Sequence, residues 1–311
     1  MIIANPISDL VFKWLMSNDR IARFFLETLL EQDILEVQLK PQELSYFNKE
    51  DEASLAAALT VMRLDFVATI KTASGEHKKV LIEIQKVRNT IDVKRFRKYL
   101  AEHYKQEDEI ETDKGKQFEA LPIITIYLLG FKLQNVDTPA LKVAHKYINQ
   151  VNHEVMDIKS ELIEKLTHET YIVQIPRIEA KLNTRLEQLL SFFEQNHFTD
   201  SSGLVKEYPY PLETDLMKLI ANELHYLGTD PKKQQYLETE REAMRVYKHE
   251  LFEIELEVEE NKKALEENKI AIEEKNRALE ENKKTIGEKD KALQDALHKI
   301  AELEKNKNNS H

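Results

Sequence analysis

The chain of 311 residues contains no cysteine, which removes disulfide frameworks, thiol nucleophiles and cysteine-ligated zinc together. Glycine (6) and proline (8) are scarce, which favours long regular elements over a loop-rich sandwich. No stretch approaches the roughly 18 apolar residues of a membrane span. The opening MIIANPISDLVFKW carries Asp9 and Lys13 where a signal peptide would be apolar. A soluble, cytoplasmic protein with no membrane partner is the expectation. Also absent are HExxH and HNH-like clusters, the GxGxxG and GK[ST] loops and the GxSxG elbow. Nucleotide cradles and serine hydrolases built on those devices are therefore unsupported. His145 and His153 read as surface residues, and Trp14 as core.

What the chain does have is charge, unevenly spread. The total is −11, yet residues 1–150 hold 21 basic and 22 acidic side chains. Within them, residues 78–98 (KKVLIEIQKVRNTIDVKRFRK) carry eight basic residues against Glu83 and Asp92. A local positive excess responds to phosphates whatever the whole-chain total. A solvated helix face would have the same composition.

Apolar residues at helical spacing over 8–30 predict helix, with Ser8 as N-cap and Asn18-Asp19 dividing it. A short strand is expected at 34–39. The clearest β pattern spans 61–86. Leu64, Phe66, Ala68 and Ile70 alternate with Arg63, Asp65, Val67 and Thr69. After TASGEH, Val80, Ile82 and Ile84 alternate with Leu81, Glu83 and Gln85. With the turn centred on Ser74, the two runs form a hairpin that sets Asp65 opposite Glu83. Their Cβ atoms would lie about 5 Å apart on the polar face; an ordinary amphipathic hairpin with a wet face would carry the same two acids. A helix over 91–106, an acidic loop and a buried strand between Pro122 and Gly130 complete the order α–β–β–β–α–β. Farther on, 171–178 reads as a strand, and 185–195 and 211–227 as helices.

Behind this domain, 1–230, the last part of the chain repeats every seven residues: ALEENKI, AIEEKNR, ALEENKK, TIGEKDK. Leu265, Ile272, Leu279, Ile286, Leu293 and Ile300 recur at the period of a left-handed coiled coil. The adjoining seam position holds Asn268, Lys275, Asn282 and Lys289. A helical tail over 231–311 is expected, with weak homo-oligomerisation through 251–305.

Two carboxylates and a third polar group on one sheet face suit divalent-metal chemistry, because Mg²⁺ takes hard oxygen ligands and activates water for phosphodiester hydrolysis. The combination of an acid in one strand, E-x-Q in the next, a basic helix and a further buried strand resembles the PD-(D/E)XK nucleases. Within that superfamily it is similar to the bacterial recombination-promoting nucleases, the PD-(D/E)XK family transposases. S-D-L-V-F-K-W-L resembles that family's N-terminal D-x-x-F-K helix at Asp9, Phe12 and Lys13. R-L-D-F and L-I-E-I-Q-K resemble its Asp and E-x-Q motifs, and the helix with Arg95, Arg97 and Tyr99 its basic helix. The resemblance implies an α/β, restriction-endonuclease-like core at about 8–131, a mixed sheet flanked by helices. It implies a Mg²⁺-dependent (or Mn²⁺-dependent) DNA endonuclease linked to transposition or recombination. Asp65, Glu83 and Gln85 would be its catalytic residues, with Asp65, Glu83 and the Ile84 carbonyl as metal ligands. Gln85 would occupy the place of the superfamily's usual lysine, so that Lys94, Arg95 or Lys98 would have to supply the missing charge. Lys86 projects from the opposite side of the strand. Lys86, Arg88, Lys94, Arg95, Arg97 and Lys98 form the expected DNA-binding stripe. Glu27 reads as solvent-facing rather than as a further ligand. The rival class is a non-catalytic nucleic-acid-binding or assembly protein that oligomerises through its tail.

Overall fold

A computed structural model describes residues 1–40, 66–86, 90–112, 115–179 and 181–308. The strands are β1 (Ile2–Ala4), β2 (Ile34–Leu39), β3 (Phe66–Thr72), β4 (His77–Gln85), β5 (Asp108–Thr112), β6 (Gly115–Glu119), β7 (Ile123–Leu129), β8 (Ala140–Val143), β9 (Tyr147–Ile148), β10 (Val155–Met156), β11 (His168–Gln174) and β12 (Val205–Glu207). The helices are α1 (Asp9–Met16), α2 (Asp19–Leu30), α3 (Thr90–Lys105), α4 (Glu161–Leu166), α5 (Arg185–Ser191), α6 (Asp215–Thr229) and α7 (Pro231–Asn308).

Helices α1 and α2 divide where the sequence suggests, because Asn18 caps α2 by accepting from the amides of Arg20 and Ile21. Ser8 stands at the N-cap of α1 but its hydroxyl does no capping. The capping carboxylate comes instead from α7. Glu240 accepts from the Asp9 amide at 3.0 Å and from the Ser8 hydroxyl at 2.5 Å.

Six strands form one mixed sheet in the order β2-β3-β4-β7-β11-β8. β2, β3 and β4 are antiparallel, β4, β7 and β11 run parallel, and β8 closes the far edge antiparallel. The β3–β4 turn uses Gly75 at φ 86°, where a Cβ would be strained. Its pairs, among them Phe66↔Ile82 and Ala68↔Val80, are those that a turn centred on Ser74 dictates. The segment expected as an acidic loop is a hairpin, β5–β6. Its alternation is masked by charge, but Asp108 and Ile110 share one parity and both are buried.

The two faces of the sheet differ sharply. Phe66, Ala68, Ile70, Val80, Ile82, Ile84, Ile124, Ile126 and Leu128 join the main core with α1, α2, α5 and α6. Phe12 sits at its centre, fully buried, in edge contact with the rings of Phe25, Phe66 and Phe193. The opposite face carries a small apolar cluster of Val67, Leu81 and Ile123, packed by Leu100 and Tyr104 of α3. Trp14 packs partly buried against the main core.

Lys206 of β12 is 2% exposed, and its ammonium bonds the Glu194 carbonyl oxygen. Burial lowers its pKa to about 7, against a partial offset from the Glu194 charge. Between pH 7 and the ordinary lysine value the unfolded chain therefore holds the extra proton, so stability rises with pH across that window. Lys206→Met is expected to flatten that rise in thermal melts. It should also lift the melting temperature at pH 7, at about 2–4 °C per kcal/mol for a unit of this size.

The chain divides into two compact units, Met1–Met244 and Arg245–His311. The first turns of α7 belong to the first unit, with Leu237 and Ala243 buried. In the second unit the helix leaves Leu265, Ile272, Leu279, Ile286, Leu293 and Ile300 exposed. Pairs one turn apart, such as Lys263–Glu259 and Lys269–Glu266, lend it local support. Among the described residues no helix is long and apolar enough to cross a membrane.

Candidate functional site

Strand β4 carries three of the expected site residues in succession, Glu83, Ile84 and Gln85. Strand alternation turns Glu83 and Gln85 to the α3 face and Ile84 to the main core. An ordinary amphipathic hairpin would leave this polar face wet. It is not: α3 packs over it, and Glu83 is only 4% exposed. Lys79, Leu81, Glu83 and Gln85 therefore form one column, flanked in register by Ile123, Thr125, Tyr127 and Leu129 of β7. Asp65 lies outside the described residues.

Glu83 is paired across the parallel ladder with Tyr127. Burial, and then the Glu83 charge beside it, raise the Tyr127 phenol well above its ordinary pKa. The Tyr127 ring packs on Phe96 of α3 with centroids 4.5 Å apart. A buried carboxylate and a half-buried phenol under an aromatic cover make a polar site that is shielded from most of the solvent. Tyr127 is inconspicuous in the sequence because it lies inside the run IITIYLL. Its parity with Thr125 is the signal that could have found it.

The end of β4 is tightly fixed. The Gly130 amide donates to the Gln85 carbonyl at 2.7 Å. A Cβ on Gly130 would stand 2.6 Å from the Lys86 carbonyl oxygen, so no other residue fits without moving the strand end. Lys86 leaves by the opposite side, as its parity requires. Its ammonium lies 3.0 Å from Asp9 and 3.7 Å from the buried Glu240. Burial raises the Glu240 pKa, against the opposing pull of Lys86. Lys86 thus stands apart from the expected basic stripe. It ties β4 to α1 and α7 instead, with Asp9 of the D-x-x-F-K segment as its partner. Phe12 of that segment is core.

No family model, curated protein or solved structure matches the chain. The site must therefore be read from its own chemistry. Of the expected phosphate contacts, Arg97 and Lys98 are exposed on α3. Arg88 and the side chains of Lys94 and Arg95 lie outside the described residues. Glu27 is partly exposed but engaged: it accepts from Arg23 and the Ile34 amide and pairs with Arg185, tying α2 to β2 and α5. His145 and His153 are exposed.

The same column holds a second charged group, one that no sequence motif marks. Lys79, 1% exposed, lies 2.6 Å from Asp108, which also binds Lys40. The Lys79 ammonium also donates to the His103 carbonyl near the end of α3 at 3.4 Å. Burial, followed by the nearby Lys79 charge, lowers the His103 pKa. Lys79 and Asp108 thereby clamp α3 and the β5–β6 hairpin to the sheet. Among the described residues no three acidic or histidine side chains gather as a metal-binding group. Mg²⁺ asks for less than that, usually one or two carboxylates with several retained waters. Glu83 with one further carboxylate would meet the requirement.

Proposed function

We propose that the chain is a Mg²⁺-dependent DNA endonuclease with a PD-(D/E)XK core, acting in transposition or recombination. The observation that carries this reading is the burial of Glu83 beside Tyr127, on the polar side of a sheet whose other side is wholly given to the core. A carboxylate withdrawn from water there needs charge or donors around it, and a fold does not need such a group merely to be stable. The β3–β4 register continued by one residue would bring Asp65 beside Glu83. Asp65, Glu83 and the Ile84 carbonyl would then hold the ion. Bound there, it would activate water and neutralise charge on the phosphate.

The chain's own residues would do the rest. Gln85, fixed at the strand end by the Gly130 contact, would orient water or a phosphate oxygen through its amide. Tyr127 would keep water from the inner side of the Glu83 carboxylate. Arg97 and Lys98, with Lys94 and Arg95 of the same helix, would meet the DNA backbone. The exposed heptad stripe of the tail supports weak association of copies through 251–305.

The test is incubation of the full chain with supercoiled plasmid, with and without Mg²⁺ or Mn²⁺. Nicking or linearisation that stops in excess chelator is expected. Cleavage that persists in chelator, or a chain inert with both metals, would defeat the proposal. Neutralising Lys94, Arg95, Arg97 and Lys98 together should weaken binding to all DNA sequences. The log–log salt slope should flatten by about 0.9 for each duplex phosphate that is no longer neutralised. An unchanged slope would put the DNA on another surface.

A further inference from the structure

The segment between β8 and β11 exposes apolar side chains instead of burying them. Val143, Val151, Val155, Ile158, Leu162 and Leu166 are between 50% and 91% exposed. Helix α4 has no buried residue at all. The segment is nonetheless ordered as one module. The Tyr147 hydroxyl of the β9–β10 hairpin donates to Glu164 of α4 at 2.9 Å and accepts from the Ser160 amide at 3.3 Å. Leu162 and Leu166 stand one turn apart on α4, and Val155 lies across the hairpin from Ile148. Beside the module runs β8, the last strand in the sheet order, bonded to β11 alone among the described residues.

We infer that this face is the contact between two copies of the chain, related by a two-fold axis perpendicular to β8 at the sheet edge. Three features select a second copy as its occupant. Together the six side chains expose roughly 500–600 Å² of apolar surface. With the strand edge added, the face approaches the roughly 800 Å² that each partner of a standard interface buries. Residues 140–166 carry four lysines and four carboxylates, so the segment as a whole has no net charge. A neutral segment neither attracts a polyanion nor repels itself, and self-complementarity is what a two-fold contact demands. Finally, an open antiparallel edge strand is a template for the same strand of another copy, running antiparallel.

The absence of cysteine makes the test clean. In a full-length chain with Ile272→Lys and Ile286→Lys, which breaks the tail stripe, light scattering should give the mass of a dimer. Adding Val151→Glu and Leu162→Glu, at exposed positions with no role in the core, should weaken association at least about 30-fold with circular dichroism unchanged. Val143→Cys should be captured as a dimer by a short bis-maleimide. Leu35→Cys, on the other sheet edge, should not. A single-chain mass, a dimer that survives both glutamates, or equal capture from position 35 would each overturn the inference.

Discussion

Glu83→Ala is expected to abolish Mg²⁺-dependent cleavage of plasmid, and Asp65→Ala to do the same, each leaving the fold intact by circular dichroism. Losing either carboxylate should weaken and misplace the cation, because Mg²⁺ demands near-octahedral geometry and this site offers it few protein ligands. Most of the DNA affinity should remain, since phosphate contacts carry it, and removal of a negative charge near the backbone should tighten binding slightly. Gln85→Ala should be milder, about 10–1000-fold in rate, the range for one positioned hydrogen-bonding group. Gln85→Lys should do better than Gln85→Ala. Wild-type cleavage by a folded Glu83→Ala chain would sink the assignment.

Asp108→Ala is expected to be among the most destabilising single changes in the first unit. It leaves Lys79, 1% exposed, without its carboxylate at 2.6 Å. Removing one partner of a buried pair typically costs about 3–5 kcal/mol, because the remaining charge stays desolvated. Lys40 pairs with the same carboxylate but is partly exposed, and water can replace its partner. The double change Lys79→Met with Asp108→Leu should recover much of the loss, since an apolar pair of similar volume removes the uncompensated charge. Urea denaturation distinguishes the outcomes. A loss below about 1 kcal/mol for Asp108→Ala would mean that Lys79 finds solvent or another partner, and that the clamp is weak.

The sheet is legible in the sequence wherever alternation is clean. VATI and VLIEI declare their parity, and Ser74-Gly75 fixes the turn, so the β3–β4 register follows from local chemistry. The buried run after Pro122 is likewise visible as β7. The break at Asn18 can be read from its capping side chain. Less is legible where a polar residue is buried by something distant in the chain. Nothing near Lys79 announces Asp108, and nothing near Ser8 announces Glu240 as the group that caps α1. The face that carries Glu83 is covered because α3 folds back over it, which parity alone does not reveal. Of the candidate site, the column containing Glu83 and Gln85 follows from alternation. Lys86 is set apart by its parity, although its basic character draws it into the stripe. Tyr127 is hidden because an aromatic in an apolar run reads as core. The segment 140–166 gives little signal, since its apolar residues satisfy neither a helical nor a strand period against this chain's own core.

Because β4 is buried on both sides, its successive residues answer to different demands. Val80, Ile82 and Ile84 face the main core, where volume and shape set the stability. Lys79, Glu83 and Gln85 face α3, where charge and hydrogen bonding decide what is tolerated. A lineage could therefore rework the chemistry of one side, one residue in two, while the interleaved positions hold the packing constant. Drift in the packing positions would in turn leave the polar groups where they are. Separating the two kinds of change by a single peptide unit lets the strand be inherited as a scaffold and revised as a site.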